Sequence, residues 1–155
     1  ASNKKEIKEK KLSEMALKVA DIKGIGFYTL GSFRKQLSEE ELKEYEVLFE
    51  KYFLKSFTSR LSDYSDPKIE VVDAEVLNPK YTIVKSVLLA TDKKPEVKID
   101  WRVYTKNPDK PLIRDLIVEG LSLARTQKEE FASVIQSNNG DVKKLFETLK
   151  KFIDK

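Results

Sequence analysis

Over residues 3 to about 20, Ile7, Leu12, Met15, Ala16 and Val19 recur at helical spacing among lysines, which predicts an amphipathic helix. Gly24 and Gly26 interrupt that pattern and predict a flexible break, followed by a short helix over about 27–37. Ser38 before Glu39, Glu40 and Glu41 is a helix start. The hydroxyl can accept from the N–H three residues on, Glu41 can return to the cap's own N–H, and the acids suit the positive end of the dipole. The helix so opened runs to about residue 61, and Leu42, Tyr45, Phe49, Tyr52, Phe53, Phe57 and Leu61 share one broad face. A face that aromatic requires a large cover.

Asp66-Pro67 ends the helical region, because the residue before a proline is pushed out of the α basin. The period then becomes that of strands, over 68–77, 81–91, 96–106 and 112–118. Asn78-Pro79, the run ending at Pro95 and the run from Asn107 to Pro111 supply the turns. Connectors this short predict an antiparallel meander. Val97, Ile99, Trp101 and Val103 alternate with Lys98, Asp100, Arg102 and Tyr104, so this strand has one buried and one wet face. The strand over 81–91 is apolar on both faces, as expected of one covered on both sides or by a partner. Gly120 ends the last strand, and helices return over 121–136 and 141–152, joined by Asn138-Asn139-Gly140 with Asp141 as a cap. The expectation is a single α+β domain over 1–155: N-terminal helices in 3–62, a four-stranded antiparallel meander in 68–119 and C-terminal helices in 121–153, with helices from both chain ends against one sheet face.

Composition narrows the chemistry. Hydrophobic residues are 40% of the 155, enough for a folded domain, and no run approaches the ~20 apolar residues of a membrane span, so the expectation is a soluble protein. The chain has no His, which removes imidazole base catalysis and His-ligated metals. It has no Cys, which removes disulfides, thiolate nucleophiles and Cys-ligated clusters. The net charge of +4 favours anionic partners only mildly and does not point to nucleic acid. Ala1 is followed by lysines and glutamates with no continuous apolar core, so the sequence reads either as cytosolic or as a mature form.

Little catalytic machinery survives inspection. Gly120-Leu121-Ser122 approaches a nucleophile elbow, but the chain has no His to serve as base, and Ser122 stands where a helix cap is useful. Gly24-Ile25-Gly26 lacks both the preceding strand and the third glycine of a dinucleotide loop. Asp115 and Glu119 are too far apart along a strand, ~13 Å, to share an ion, and Asp115 is expected to pair with a neighbouring basic residue. The N-terminal lysines alternate with Glu6 and Glu9, which fits a solvated helix face. What remains is the aromatic helix face, which lines either a dense core or an apolar cavity.

Leu30-Gly31, the helix opened by Ser38, Tyr64-Ser65 and above all the run from Asp115 to Leu123 followed by Phe131 resemble the MlaC family over about residues 21–153. Two positions depart from the family pattern. Arg34 and Lys35 stand where it has Trp and Arg, and Pro111 stands where it commonly has Trp. The resemblance implies a non-enzymatic periplasmic carrier, with no cofactor and phospholipid as cargo, in a chain from which the signal peptide has been removed. It implies exchange with an outer-membrane lipoprotein–porin complex and an inner-membrane ABC transporter, and action as a monomer. On that reading the tails lie against Val97, Ile99, Trp101 and Val103 of the third strand, Ile83 and Val87 of the second, Ile117 of the fourth, and Phe49, Phe53 and Phe57 of the long helix. Both faces of the fourth strand carry apolar residues, which leaves its lining face open. Arg34, Lys85 and Arg102 are the basic residues expected near the phosphate. The rival from the residues alone is a protein-binding scaffold whose interior is solid core.

Overall fold

The computed structural model describes residues 2–62 and 68–155. Helices α1 (Ser2–Val19) and α2 (Ile22–Leu30) lead through a 3₁₀ turn (Gly31–Gln36) to α3 (Glu39–Ser62). Strands β1 (Ile69–Val76), β2 (Tyr81–Leu88), β3 (Val97–Tyr104), β4 (Leu112–Val118) and β5 (Leu121–Ser122) follow, then α4 (Leu123–Ser137) and α5 (Val142–Asp154). The sheet is an antiparallel meander in chain order, β1 to β5. Asp66-Pro67 and Tyr64-Ser65 lie outside the described residues.

The fifth strand was not expected. Glu119 and Gly120 have φ of 51° and 82°, and Val118 pairs with Leu121, so these two residues form the tight hairpin turn that needs positive φ at both positions. Gly120 therefore reverses the chain as well as ending β4.

Helix α2 starts about five residues earlier than the pattern suggested, and the two glycines lie inside it. Asp21 caps it, its carboxylate accepting from the Gly24 N–H at 3.1 Å. Gly26 is needed for packing: a Cβ there would lie 2.7 Å from Cδ1 of Phe49. The glycine that looked like a break is the contact point of α2 with α3.

The core is a layer of helices. Ile22, Ile25 and Leu30 of α2, Tyr45, Leu48 and Phe49 of α3, Phe131 and Ile135 of α4, and Val142, Leu145, Phe146 and Leu149 of α5 form one buried cluster. The α5 positions follow the i, i+3, i+4, i+7 stripe that one helix face presents. Tyr45 is fully buried; its hydroxyl shares a 2.7 Å hydrogen bond with that of Thr29, and burial pushes its pKa upward. The Ser38 box forms as expected, Glu41 N–H to Ser38 Oγ at 3.2 Å and Ser38 N–H to Glu41 Oε1 at 3.0 Å.

The sheet meets this layer through β4. The Asp21 N–H donates to the Ile113 carbonyl at 2.9 Å, and β4 packs against α2 and α4. In β1 every residue is exposed, while in β3 and β4 most are half-buried.

Candidate lipid-binding face

Residues paired across an antiparallel ladder point to the same side of the sheet. The register places Val97, Ile99, Trp101 and Val103 opposite Leu88, Ser86, Val84 and Thr82. On the far side of β3, Val118, Leu116 and Ile113 pair with Ile99, Trp101 and Val103. On β1, Ile69, Val71, Ala74 and Val76 pair with Leu88, Ser86, Val84 and Thr82. One sheet face is thus apolar across four strands, without a charged side chain at any paired position.

The polar groups within it are satisfied. The Trp101 indole Nε1 donates to Ser86 Oγ at 2.7 Å, and that hydroxyl donates to the Ile99 carbonyl at 2.7 Å. Three residues thereby close a chain of donors that would otherwise need water. Ser86 and Leu88 are buried, the β3 and β4 positions of this face are half-buried, and Val71 and Val76 are 63% and 73% exposed. Burial on this face is deepest at one end of β2 and is lost at the open edge, β1.

The opposite face is charged. It carries Glu70, Asp73 and Glu75 on β1, Lys85 on β2, and Lys98, Asp100 and Arg102 on β3. Ile83 and Val87 pair with Arg102 and Lys98, and Ile117 pairs with Asp100, so all three lie on this side. The register corrects the expectation that they share a surface with Trp101. The signal was present in β2, where the lone charged residue, Lys85, has the same parity as Ile83 and Val87. Val84 and Leu88, together with Leu116 and Val118 on β4, are among the apolar-face residues that the sequence reading missed.

The aromatic residues of α3 part company. Phe49 is 2% exposed and locked in the helical core, between the rings of Tyr45, Tyr52 and Phe131. Phe53 and Phe57 are half-buried and stack on each other at 6.0 Å, and Phe53 packs against the core cluster. Like Tyr52 and Leu54, they are left partly open.

The basic residues named from the sequence do not converge. Arg34 lies in the 3₁₀ turn with its guanidinium 4.4 Å from the Phe27 ring centroid. Lys85 faces Glu75 at 3.6 Å, an exposed pair of little consequence for stability. Arg102 lies on the charged face, its guanidinium 4.3 Å from the Tyr81 ring centroid.

Asp115 behaves differently from expectation. It is the N-terminal anchor of α4, taking a hydrogen bond from the Ser122 hydroxyl on one oxygen and from the Ala124 N–H at 3.0 Å on the other. Ser122 in turn caps α4 by accepting from the Arg125 N–H at 3.1 Å, the structural role read from the sequence. A β-bulge between Arg102 and Val103 leaves Arg114 without a ladder partner and turns it to the charged face. There its Nη1 donates to the Tyr81 hydroxyl at 3.0 Å. A cleft of about 390 Å³ lies on this side, between the first turns of α2 and α4 and the residues Tyr81, Arg102, Arg114 and Ile117.

Among the described residues no three His, Cys, Asp or Glu side chains group as metal ligands, and no helix is long and apolar enough to cross a membrane. No curated protein matches the sequence. The chain is similar in structure to a phospholipid-binding protein from Ralstonia solanacearum solved in complex with a phospholipid. The TM-score is 0.72 at 24% identity, covering 87% of this chain and 74% of that one. The family model described as MlaC protein matches residues 1–151, and the chain belongs to the MlaC family.

Proposed function

We propose that this protein is a periplasmic phospholipid carrier that holds acyl chains against the apolar sheet face and exchanges them with membrane complexes. The observation that carries the reading is a division of labour: the helical layer is closed around its own core, yet an apolar face four strands wide is left half-buried to exposed everywhere except at Ser86 and Leu88. A continuous apolar surface of that kind marks a binding site. Membership of the MlaC family, and the phospholipid bound by the Ralstonia protein, supply the cargo. The family's role, passage of lipid between an outer-membrane lipoprotein–porin complex and an inner-membrane ABC transporter, is proposed for this chain on the same ground. The chain is read as a monomer and as a non-enzyme on the ground of that family role.

The proposed lining is Val97, Ile99, Trp101 and Val103, joined by Val84 and Leu88 of β2, Leu116 of β4, and Phe53 and Phe57 of α3. Each buried CH₂ contributes about 0.8 kcal/mol, so two tails of ~16 carbons would bring roughly 25 kcal/mol gross. That exceeds the roughly 18–21 kcal/mol at which non-covalent affinity saturates, and it would make release impossible. A slot open along β1 keeps part of each tail in contact with water or a membrane, which suits a carrier that must let go.

Lipid extraction and native mass spectrometry after incubation with phospholipid vesicles test this. The expected result is the 17.9 kDa chain with phospholipid bound, and loss of that lipid in Trp101→Arg with the helical circular dichroism retained. Bare protein under all conditions overturns the carrier reading. Unfolding of Trp101→Arg together with an absence of lipid in the wild type favours a solid-core scaffold.

A further inference from the structure

We propose that Ser86 is a positioning residue for the cargo: it latches the Trp101 indole down onto the sheet and keeps the apolar slot free of unmade hydrogen bonds. This rests on the carrier reading and gives a role within it to a residue outside the proposed lining. The register places Trp101 directly opposite Val84, yet its Nε1 donates at 2.7 Å to Ser86 Oγ, two residues further along β2. Side chains of a strand stand roughly perpendicular to the sheet. Ser86 is short, and its hydroxyl lies close enough to the backbone to donate to the Ile99 carbonyl at 2.7 Å. To reach that oxygen the indole must lean across the sheet, its N–H edge down near the backbone.

A hydroxyl inside an apolar face is costly unless it is used. Two of the paired positions on this face carry one, Thr82 and Ser86. Thr82 shares a 2.9 Å hydrogen bond with the Thr105 hydroxyl, and Ser86 serves Trp101. Ser86 is 3% exposed, whereas Trp101 is half-buried. The acceptor is hidden beneath a ring that still faces the slot.

The bond matters most when the slot is filled. In the empty protein, water can reach a half-buried indole and serve its N–H. An acyl chain laid over the ring removes that water and offers no acceptor, so an indole without Ser86 loses a hydrogen bond on loading. With Ser86 the N–H keeps one partner in both states. The latch also selects one orientation of the ring among the staggered alternatives, and those that stand upright would take the space of a tail. Both effects act on how long a lipid stays.

The test loads the full chain with a pyrene-labelled phosphatidylglycerol and times its transfer to unlabelled phosphatidylglycerol vesicles. Ser86→Ala is expected to release the lipid about tenfold faster with helical circular dichroism retained, within the cost of an unmade buried hydrogen bond. Ser86→Thr keeps the hydroxyl and is expected to recover most of the retention. In a Trp101→Phe background, which has no N–H to satisfy, Ser86→Ala is expected to change release by less than about twofold. Trp101 is the one tryptophan, so its fluorescence reports the latch without cargo. Its anisotropy in the empty protein is expected to fall in Ser86→Ala, because the unpinned ring rotates. Where Ser86→Ala fails to fold, Ser86→Cys, close in size with a weak acceptor, takes its place with the same directions expected. A wild type that takes up no lipid overturns the carrier reading and this role with it. Lipid held by wild type but released equally fast by Ser86→Ala, an equal acceleration in the Trp101→Phe background, or an unchanged anisotropy overturns the latch alone.

Discussion

The helical layer and the sheet do opposite things with their apolar residues. In the helices, four elements enclose one another: the rings of Tyr45, Phe49, Phe131 and Phe146 contact in a chain, and nearly every cluster member is below a tenth exposed. In the sheet, apolar residues line up on one face and only Leu88 and Ser86 are fully withdrawn from water. A protein that only needed to fold would close both. The difference teaches that the helices carry stability while the sheet keeps apolar area in reserve.

The largest expected effect lies on the closed side. Phe49→Ala removes a ring that Gly26 approaches so closely that no side chain fits between, and the cavity should cost about 3–5 kcal/mol by chemical denaturation. Val76→Ala on the open face, at a residue 73% exposed, should change stability by less than about 1 kcal/mol. Comparable costs at the two positions would end the contrast.

A middle-sized effect tests the polar pair inside the closed layer. Thr29→Val keeps the shape but leaves the Tyr45 hydroxyl without its partner in a fully buried position. The expected loss is about 1–3 kcal/mol, the desolvation penalty of an unmade hydrogen bond. Thr29→Ser, which keeps the hydroxyl, should recover most of it. A Thr29→Val variant as stable as wild type would mean that the layer is looser than the cluster suggests.

Which of these features could be read from sequence follows from the range of the forces involved. The Ser38–Glu41 box, the Ser122 and Asp141 caps and the alternation in β3 are local, set by residues within four positions, and each formed as expected. The meander order followed from short connectors. Gly26 was misread because its reason lies 23 positions away, on α3. The side of Ile83 and Val87 was misread because the one parity signal in β2, the charge of Lys85, is outweighed by apolar residues on both faces, and the side of Ile117 because the register of β4 comes from its neighbour. Asp115 was expected to neutralise a basic residue; two helix-terminal donors seven and nine positions on take it instead.

The smallest effect concerns the seam between α3 and α5, where Lys143 Nζ meets Glu41 Oε2 at 2.8 Å. The hydrogen bond from Lys143, with those from Ser38, holds the Glu41 carboxyl down at about 2, and the Glu41 carboxylate raises Lys143. A carboxyl depressed in the folded state contributes stability that is fully present above its ordinary range and is lost as pH falls towards its folded value. The melting temperature should therefore fall between about pH 4.5 and 2 more steeply in wild type than in Glu41→Gln, with the two curves converging at the acid end. Because the pair is solvent-exposed, added salt should shrink the difference at neutral pH. Glu41→Gln also tests whether the charge or the cap matters at this seam. Glutamine can still reach the Ser38 N–H, so a stability deficit that survives high salt would locate the contribution in cap geometry, and one that vanishes would locate it in the bridge to α5.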